Sequence, residues 1–324
     1  MTLQELKDSL SIISGGTPTG ITLNLVVEKE DEETDSSEKF ICVADVSTEL
    51  AAEFRKEFIK SINDSILDDT DIELANISKG TELNNRVFYY DIDEFPKSLD
   101  IIKDFNAFQE YPKFSFTNDD LASVKAVLIT LGNSEASFTI YKHVFPITIV
   151  RQNRVLGLIP KGDRFEKLDK NILQINTTID FLYVNQNLVI KNLKTFTNSY
   201  GFKDIIKRQA KEKISLINEL GLIANISELT DFMENVKYAK RVMKIDTESP
   251  VMQLSSQSIV NFIKGHPKIK KKIRINDEDK VSLDTDVSKI FIIGILNDAY
   301  LKSNLTDIDY ESLNKDTLTG DEDE

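Results

Sequence analysis

The chemistry this chain offers most openly is phosphate neutralisation. Lys207, Arg208 and Lys211 fall on one side of a helix predicted over 203–220, opposite Ile206, Ala210 and Ile217. Lys237, Lys240, Arg241 and Lys244 recur at i, i+3, i+4 and i+7 in a helix predicted over 236–245. That spacing sets four cations on one stripe, against an apolar stripe of Phe232, Val236, Ala239 and Met243. A third group, Lys264, Lys268, Lys270, Lys271, Lys272 and Arg274, has almost no acid within it. Like charges this close cost a helix about 0.2–0.5 kcal/mol per pair, so an anionic partner relieves a real cost. On duplex DNA such side chains act by displacing counterions from phosphates, which is salt-sensitive and reads no sequence. No helix-turn-helix, zinc-finger or aromatic RNA-binding signature accompanies them. The competing reading is a solvated face, or one that binds the chain's own acidic stretches.

Other chemistries have thinner support. The spacing Asp91, Asp93, Glu94, Lys97 and the spacing Asp163, Glu166, Lys167 approximate the acid-plus-lysine sets of metal-dependent nucleases. In a chain with 54 acidic residues such groupings arise by chance. SGGTPTG at 14–20 lacks the Gly-Lys-Ser/Thr ending of a phosphate loop and follows a helix, not a strand. There is no G-x-S-x-G elbow. His143 sits in a strand pattern and reads as packing. His266, in KGHPKIKKKIR, reads as a solvated or phosphate-contacting residue. The single cysteine, Cys42, lies in an apolar strand, reads as a small core residue, and rules out an intrachain disulfide framework. The expectation is a non-enzymatic protein that uses no cofactor and no metal.

Charge is unevenly divided along the 324 residues, whose formal net charge is −14. Residues 1–121 are net −16 and residues 275–324 net −10, whereas residues 122–274 are net +12. Sign asymmetry of this size points to an anionic partner for the basic part, or to neutralisation within the molecule. The N-terminal stretch MTLQELKDSL has no basic-then-apolar signal pattern, and no window approaches the roughly 18 apolar residues of a membrane span. A cytoplasmic protein without direct membrane insertion is expected.

The elements that must position these cations follow from periodicity. Residues 1–13 read as a helix, 21–27 and 40–44 as a hairpin around a solvated acidic loop at 28–39, and 47–67 as a helix capped by Ser47 or Thr48. RVFYYDI at 86–92 reads as a strand and 98–108 as a helix. From about 121 short apolar runs follow one another with turns too short for crossovers, which makes an antiparallel meander. After 191 the pattern is helical: 192–199, 203–220, 227–235, 236–245, 255–264 and 286–301, with IFIIGIL at 290–296 buried. The fold class is α+β, an antiparallel sheet-rich N-terminal and central part followed by a helical C-terminal part. The regions are an acidic α+β stretch over 1–120, the meander over 121–190, a basic helical region over 191–313, and an acidic segment over 314–324 expected to be disordered.

One stretch carries a resemblance. DTDVSKIFIIGILNDAYLKSNLTDIDYES at 284–312, with Leu-Asn-Asp-x-Tyr-Leu-x-Ser-x-Leu-Thr at 296–306 as its most distinctive part, resembles the end of the KwaB-like family of the Kiwa anti-phage defence system. INTTIDFLYVNQNLVIKNLKTF at 175–196, followed by a lysine-rich helical region, matches in order, so the resemblance covers roughly 120–312. Ala299 stands where family members often carry an acid. The resemblance implies a cytoplasmic effector that dimerises and binds DNA with little sequence preference. It further implies interference with phage DNA replication and late transcription, and recruitment to the inner membrane by a KwaA-like membrane protein. It assigns no DNA-contacting residues; those named above rest on charge alone. A metal-dependent nuclease and a protein-interaction adaptor that leaves DNA alone are the alternatives.

Overall fold

A computed structural model describes residues 1–11, 20–31, 36–79, 85–115, 117, 119–133, 136–145, 149–150, 158–161, 164–167, 172–303 and 305–312. The chain divides into two compact units: Met1–Ile77 with Glu82–Tyr200, and Gly201–Glu324 with Ser78–Thr81. The first is sheet-rich and the second helical, so the α+β class holds.

The first unit opens with α1 (Leu3–Leu10), whose Thr2 and Glu5 form a capping box. β1 (Gly20–Asp31) and β2 (Ser36–Val43) follow as an antiparallel hairpin. The acidic stretch 28–39, expected as a solvated loop, is therefore mostly strand. The pairing sets Glu28 against Lys39 and Lys29 against Glu38, opposite charges across the ladder, which stabilise a hairpin arm. α2 (Thr48–Ile62) is capped by Ser47, whose Oγ accepts from Leu50 N–H, and a π-helical turn over Asn63–Leu67 carries it on. Next come β3 (Glu73–Asn76), β4 (Arg86–Tyr89) and α3 (Asp100–Lys103). The helix predicted over 98–108 amounts to that short α3 with a preceding 3-10 turn at Lys97–Leu99. Beyond it, Asn106 Oδ1 accepts from Phe108 N–H, a local turn in place of further helix.

β5 (Val124–Gly132) and β6 (Ser137–His143) start the meander. Between β6 and the next long strand pair lie two small ladders: β7 (Ile149–Val150) with β10 (Ile172–Leu173), and β8 (Leu158–Lys161) with β9 (Arg164–Lys167). β11 (Phe181–Val184) and β12 (Asn187–Ile190) then return to the main sheet, and α4 (Leu193–Ser199) closes the unit. The eight strands run in the order β2-β1-β5-β6-β11-β12-β4-β3, antiparallel except for the β3–β4 pair. Strands from 1–120 thus form both flanks of the sheet and strands from 121–190 its centre. Leu6 and Leu10 of α1 and Phe58, Ile62 and Ile66 beneath them join Leu25, Val127, Ile129, Ile140, Leu182 and Val189 in one buried cluster with Cys42. Tyr141, Phe181, Phe196 and Tyr200 pack as a second, aromatic cluster.

A buried ion pair sits at the end of β6. Register continues from Phe181 opposite Tyr141 to Asp180 opposite Lys142. The Lys142 ammonium lies 3.2 Å from Asp180, and the two side chains are only 7% and 4% exposed. Lys142 also donates to Thr178 Oγ1 at 2.9 Å. Asp180 accepts from the His143 backbone N–H at 3.0 Å and from Asn192 Nδ2 at 3.3 Å, while its carbonyl accepts from the N–H groups of Lys191 and Asn192. Burial pushes the Lys142 ammonium below the ordinary lysine range, against the upward pull of Asp180.

The second unit begins where Gly201, at φ +73°, turns the chain into α5 (Phe202–Glu219). α6 (Ser227–Phe232), α7 (Val236–Met243) and α8 (Ser256–Gly265) follow. The short pair β13 (Arg274–Ile275) and β14 (Val281–Ser282) precedes α9 (Asp286–Leu296), buried along most of its length. The helix predicted over 286–301 stops at Leu296. Asp298 adopts φ +50°, and β15 (Tyr300–Lys302) turns back to pair with β16 (Asp309–Glu311). Gly294 permits this return, because a Cβ there would stand 2.6 Å from the Tyr300 hydroxyl.

Asp180→Ala is expected to destabilise the protein by about 3–5 kcal/mol, since it strands a buried ammonium. Lys142→Met with Asp180→Leu is expected to cost far less, because no charge is left unpaired. Urea unfolding of the three proteins measures the difference, and equal losses would refute a paired-charge role.

Candidate nucleic-acid interface

The predicted cations all lie in the second unit, and they differ in what holds them. α5 buries Phe202, Ile205, Ile206, Ala210, Ile214 and Ile217 on one face. That leaves Arg208 and Lys211 exposed and Lys207 half-buried. Lys207 and Lys211 both reach Glu234, at 2.9 and 2.8 Å on its two carboxylate oxygens. Hydrogen bonds from these two ammonium groups, Lys211 first, hold the Glu234 carboxyl at about 2, far below the usual glutamate range. The α5 cluster is therefore partly neutralised by an acid of the turn just before α7.

α7 packs on α5 and α9, burying Ala239, Val242 and Met243. Lys237 is exposed, with Nζ 5.7 Å from the Tyr238 ring centre. Lys240, Arg241 and Lys244 are half-buried, and Lys244 is the residue after the helix rather than within it. The four cations do occupy one row, but only the first stands clear in solvent. Lys240 and Arg241 also occupy the last turn of α7, where they complement the negative end of its dipole. The expected apolar stripe is corrected at one end: Phe232 stacks on Tyr238 at 4.0 Å and covers the buried Lys289. Lys289, which spacing does not single out, pairs with Glu228 at 3.0 Å.

The segment 266–274 is different in kind. Ile269 and Ile273 are buried and anchor it. His266 Nδ1 accepts from the N–H groups of Lys268 and Ile269, at 3.3 and 3.4 Å, and so shapes the turn. Of the two expectations for His266, solvated or phosphate-contacting, the solvated one does not hold: its side chain is only 14% exposed and its Nε2 faces Asp309 at 3.8 Å. Lys268 lies 3.9 Å from the same Asp309, and Arg274 pairs with Asp284 at 2.9 Å, both basic side chains being about 70% exposed. Lys264 pairs with Asp279. Lys270, Lys271 and Lys272 are consecutive and exposed, and among the described residues no carboxylate comes within ion-pair range of them. The α5–α7 cations and this loop are built on different elements, the loop on α8, β13 and β14.

The nuclease-like spacing Asp91, Asp93, Glu94 and Lys97 does not gather into a metal-binding group. Among the described residues no group of three or more His, Cys, Asp or Glu could hold a metal ion. Asp163 and the side chains of Glu166 and Lys167 lie outside the described residues, as do SGGTPTG up to Thr19 and the acidic segment 314–324. His143 ends β6 as a half-buried ring set edge-on to Phe145 and Tyr200, and burial lowers its pKa. A polar recess of about 110 Å³ beside it is lined by Lys142, Asn176, Thr178 and Asp180. No described helix is long and apolar enough to cross a membrane.

An α+β chain whose helical unit carries clustered cations and a lysine-rich turn is the class these features define. Residues 121–306 match the family model described as "Kiwa protein KwaB-like". The chain is also 27% identical over 271 residues to the Kiwa protein KwaB of Escherichia coli O55:H7, a match covering 81% of this chain and 84% of that protein. No solved structure matches. The chain belongs to the KwaB-like family of Kiwa proteins.

The Glu234 bridge makes a direct prediction. Its side-chain carboxyl is expected to titrate near 2 by carbon NMR. With Lys207→Ala and Lys211→Ala together it should rise to about 4.3, the ordinary glutamate value. An ordinary value in the parent protein would show that the two lysines are open to other partners.

Proposed function

We propose that this chain is a non-enzymatic effector of a Kiwa anti-phage defence system, binding duplex DNA with little sequence preference. The run Lys270–Lys272 carries the reading: three adjacent exposed ammonium groups with no described carboxylate to neutralise them. Lys268 and Arg274 flank it, each about 70% exposed. The cations Lys207, Arg208, Lys211, Lys237, Lys240, Arg241 and Lys244 extend the field of the same unit. The attraction of Lys207 and Lys211 for phosphate is diminished by Glu234, and that of Lys240, Arg241 and Lys244 by partial burial. Bound along phage DNA in this way, the protein obstructs replication and late transcription. Family membership supports a Kiwa partnership, in which a KwaA-like membrane protein recruits a homodimer of this chain from the cytoplasm to the inner membrane.

Duplex binding measured from 50 to 300 mM salt is expected to give a log–log slope near −5 for about six phosphate contacts. Lys270→Glu, Lys271→Glu and Lys272→Glu together should make that slope shallower by about 2–3 and lower retention at least tenfold. Their effect on stability should stay within about 0.5 kcal/mol per site, because they are exposed. Lys56→Glu, Lys60→Glu and Lys97→Glu, also exposed, are the matched control and should leave retention nearly unchanged. Equal losses from both sets would reduce the effect to net charge. Plasmid incubated with Mg²⁺ or Mn²⁺ should be retarded and remain intact. Cleavage would favour a nuclease, and absence of retardation at low salt would favour an adaptor.

A further inference from the structure

We infer that the exposed lysine turn 270–272 is a docking surface for the acidic segment 313–324 of the same chain, which competes there with polyphosphate. The inference rests on the polyanion-binding reading of that turn and adds its regulation. Segment 313–324 carries Asp316, Asp321, Glu322, Asp323 and Glu324 against one base, Lys315. The last described strand, β16, delivers the chain to the turn: its Asp309 already lies 3.9 Å from Lys268 and 3.8 Å from His266. Ser312, three residues on, is fixed by its N–H donating to Ala299 O at 2.8 Å. The nine residues from Ser312 to Asp321 can span at most about 30 Å. Lys270 to Lys272 stand only two to four residues beyond Lys268, through a 3-10 turn that rises about 2 Å per residue. The four consecutive carboxylates therefore lie within tether range of three consecutive unneutralised ammonium groups. A short tether holds them at an effective concentration in the millimolar range, which a weak surface attraction needs in order to persist.

Two measurements on the full chain test this. Zero-length carbodiimide cross-linking followed by mass spectrometry should join carboxylates of Asp321–Glu324 to Lys270, Lys271 or Lys272. Links confined to other cations, or none from 321–324, would overturn the docking. The variant Asp321→Asn, Glu322→Gln, Asp323→Asn, Glu324→Gln should leave a heparin column at higher salt than the parent. It should also bind duplex DNA at 50 mM salt at least threefold more tightly. Adding Lys270→Gln, Lys271→Gln and Lys272→Gln should erase that gain. A gain that survives the lysine changes is a net-charge effect and refutes the docking. Failure of the DNA reading looks different: cross-links and the heparin shift appear as expected, yet neither form retains DNA. In that event the docking stands and the polyanion is something other than duplex DNA.

Discussion

The Asp180 carboxylate is the constraint on which the first unit depends. It stands where the chain re-enters the main sheet after the small ladders between β6 and β11. One oxygen takes the Lys142 ammonium and the His143 N–H, the other takes Asn192, and the carbonyl takes two further N–H groups. A single residue thereby fixes the end of β6, the start of β11, the exit from β12 and the cap of α4. An ion pair this deep adds little net stability over an apolar substitute. Its value lies in direction. Apolar contact alone would tolerate β11 sliding by two residues along β6, whereas a buried carboxylate tolerates only the register that satisfies it. The strands drawn from 1–120 flank that central register on both sides, so the acidic region and the meander form one sheet.

The second unit solves a different problem, that of holding many cations close together. It does so unevenly. Lys207 and Lys211 share Glu234, Arg274 takes Asp284, Lys264 takes Asp279, and Lys289 takes Glu228. Each of these carboxylates comes from within 201–312, not from the strongly acidic N-terminal stretch. Exposed bridges of this kind contribute little to stability, yet each removes one charge from the local field. Lys270–Lys272 remain outside the scheme. Buried Ile269 and Ile273 and the acceptor Nδ1 of His266 hold the turn, and its three lysines take no part in that anchoring.

Much of this was legible in sequence where a local signal decides the outcome. Short apolar runs marked β5, β6, β11 and β12, Ser47 marked the start of α2, and the all-apolar IFIIGIL marked buried α9. Legibility failed where a distant or opposite-strand partner decides. Glu28–Lys39 reads as solvated because its charges look unpaired along the chain; across the hairpin Glu28 faces Lys39 and Lys29 faces Glu38. Tyr300–Lys302 continues a helical period, but a return strand and the bare Gly294 surface claim it instead. Helical spacing puts Lys237, Lys240 and Arg241 on α7, and no spacing rule could say that Lys240, Arg241 and Lys244 would be half-buried. Lys142 and Asp180, 38 positions apart, carry no motif at all.

The same contrast explains why a phosphate-binding role of the kind proposed would leave only a faint trace in a sequence. A catalytic site needs fixed atoms, and fixed atoms leave spacings. A counterion-release site needs only ammonium groups that are exposed and not already neutralised. Composition counts lysines and periodicity places them, but neither shows which have lost their charge to a neighbouring carboxylate. A net charge of −14 is no obstacle either, because screening confines each exposed charge to about 8 Å at physiological ionic strength. Within that radius the turn at 270–272 presents three cations whatever the rest of the chain sums to.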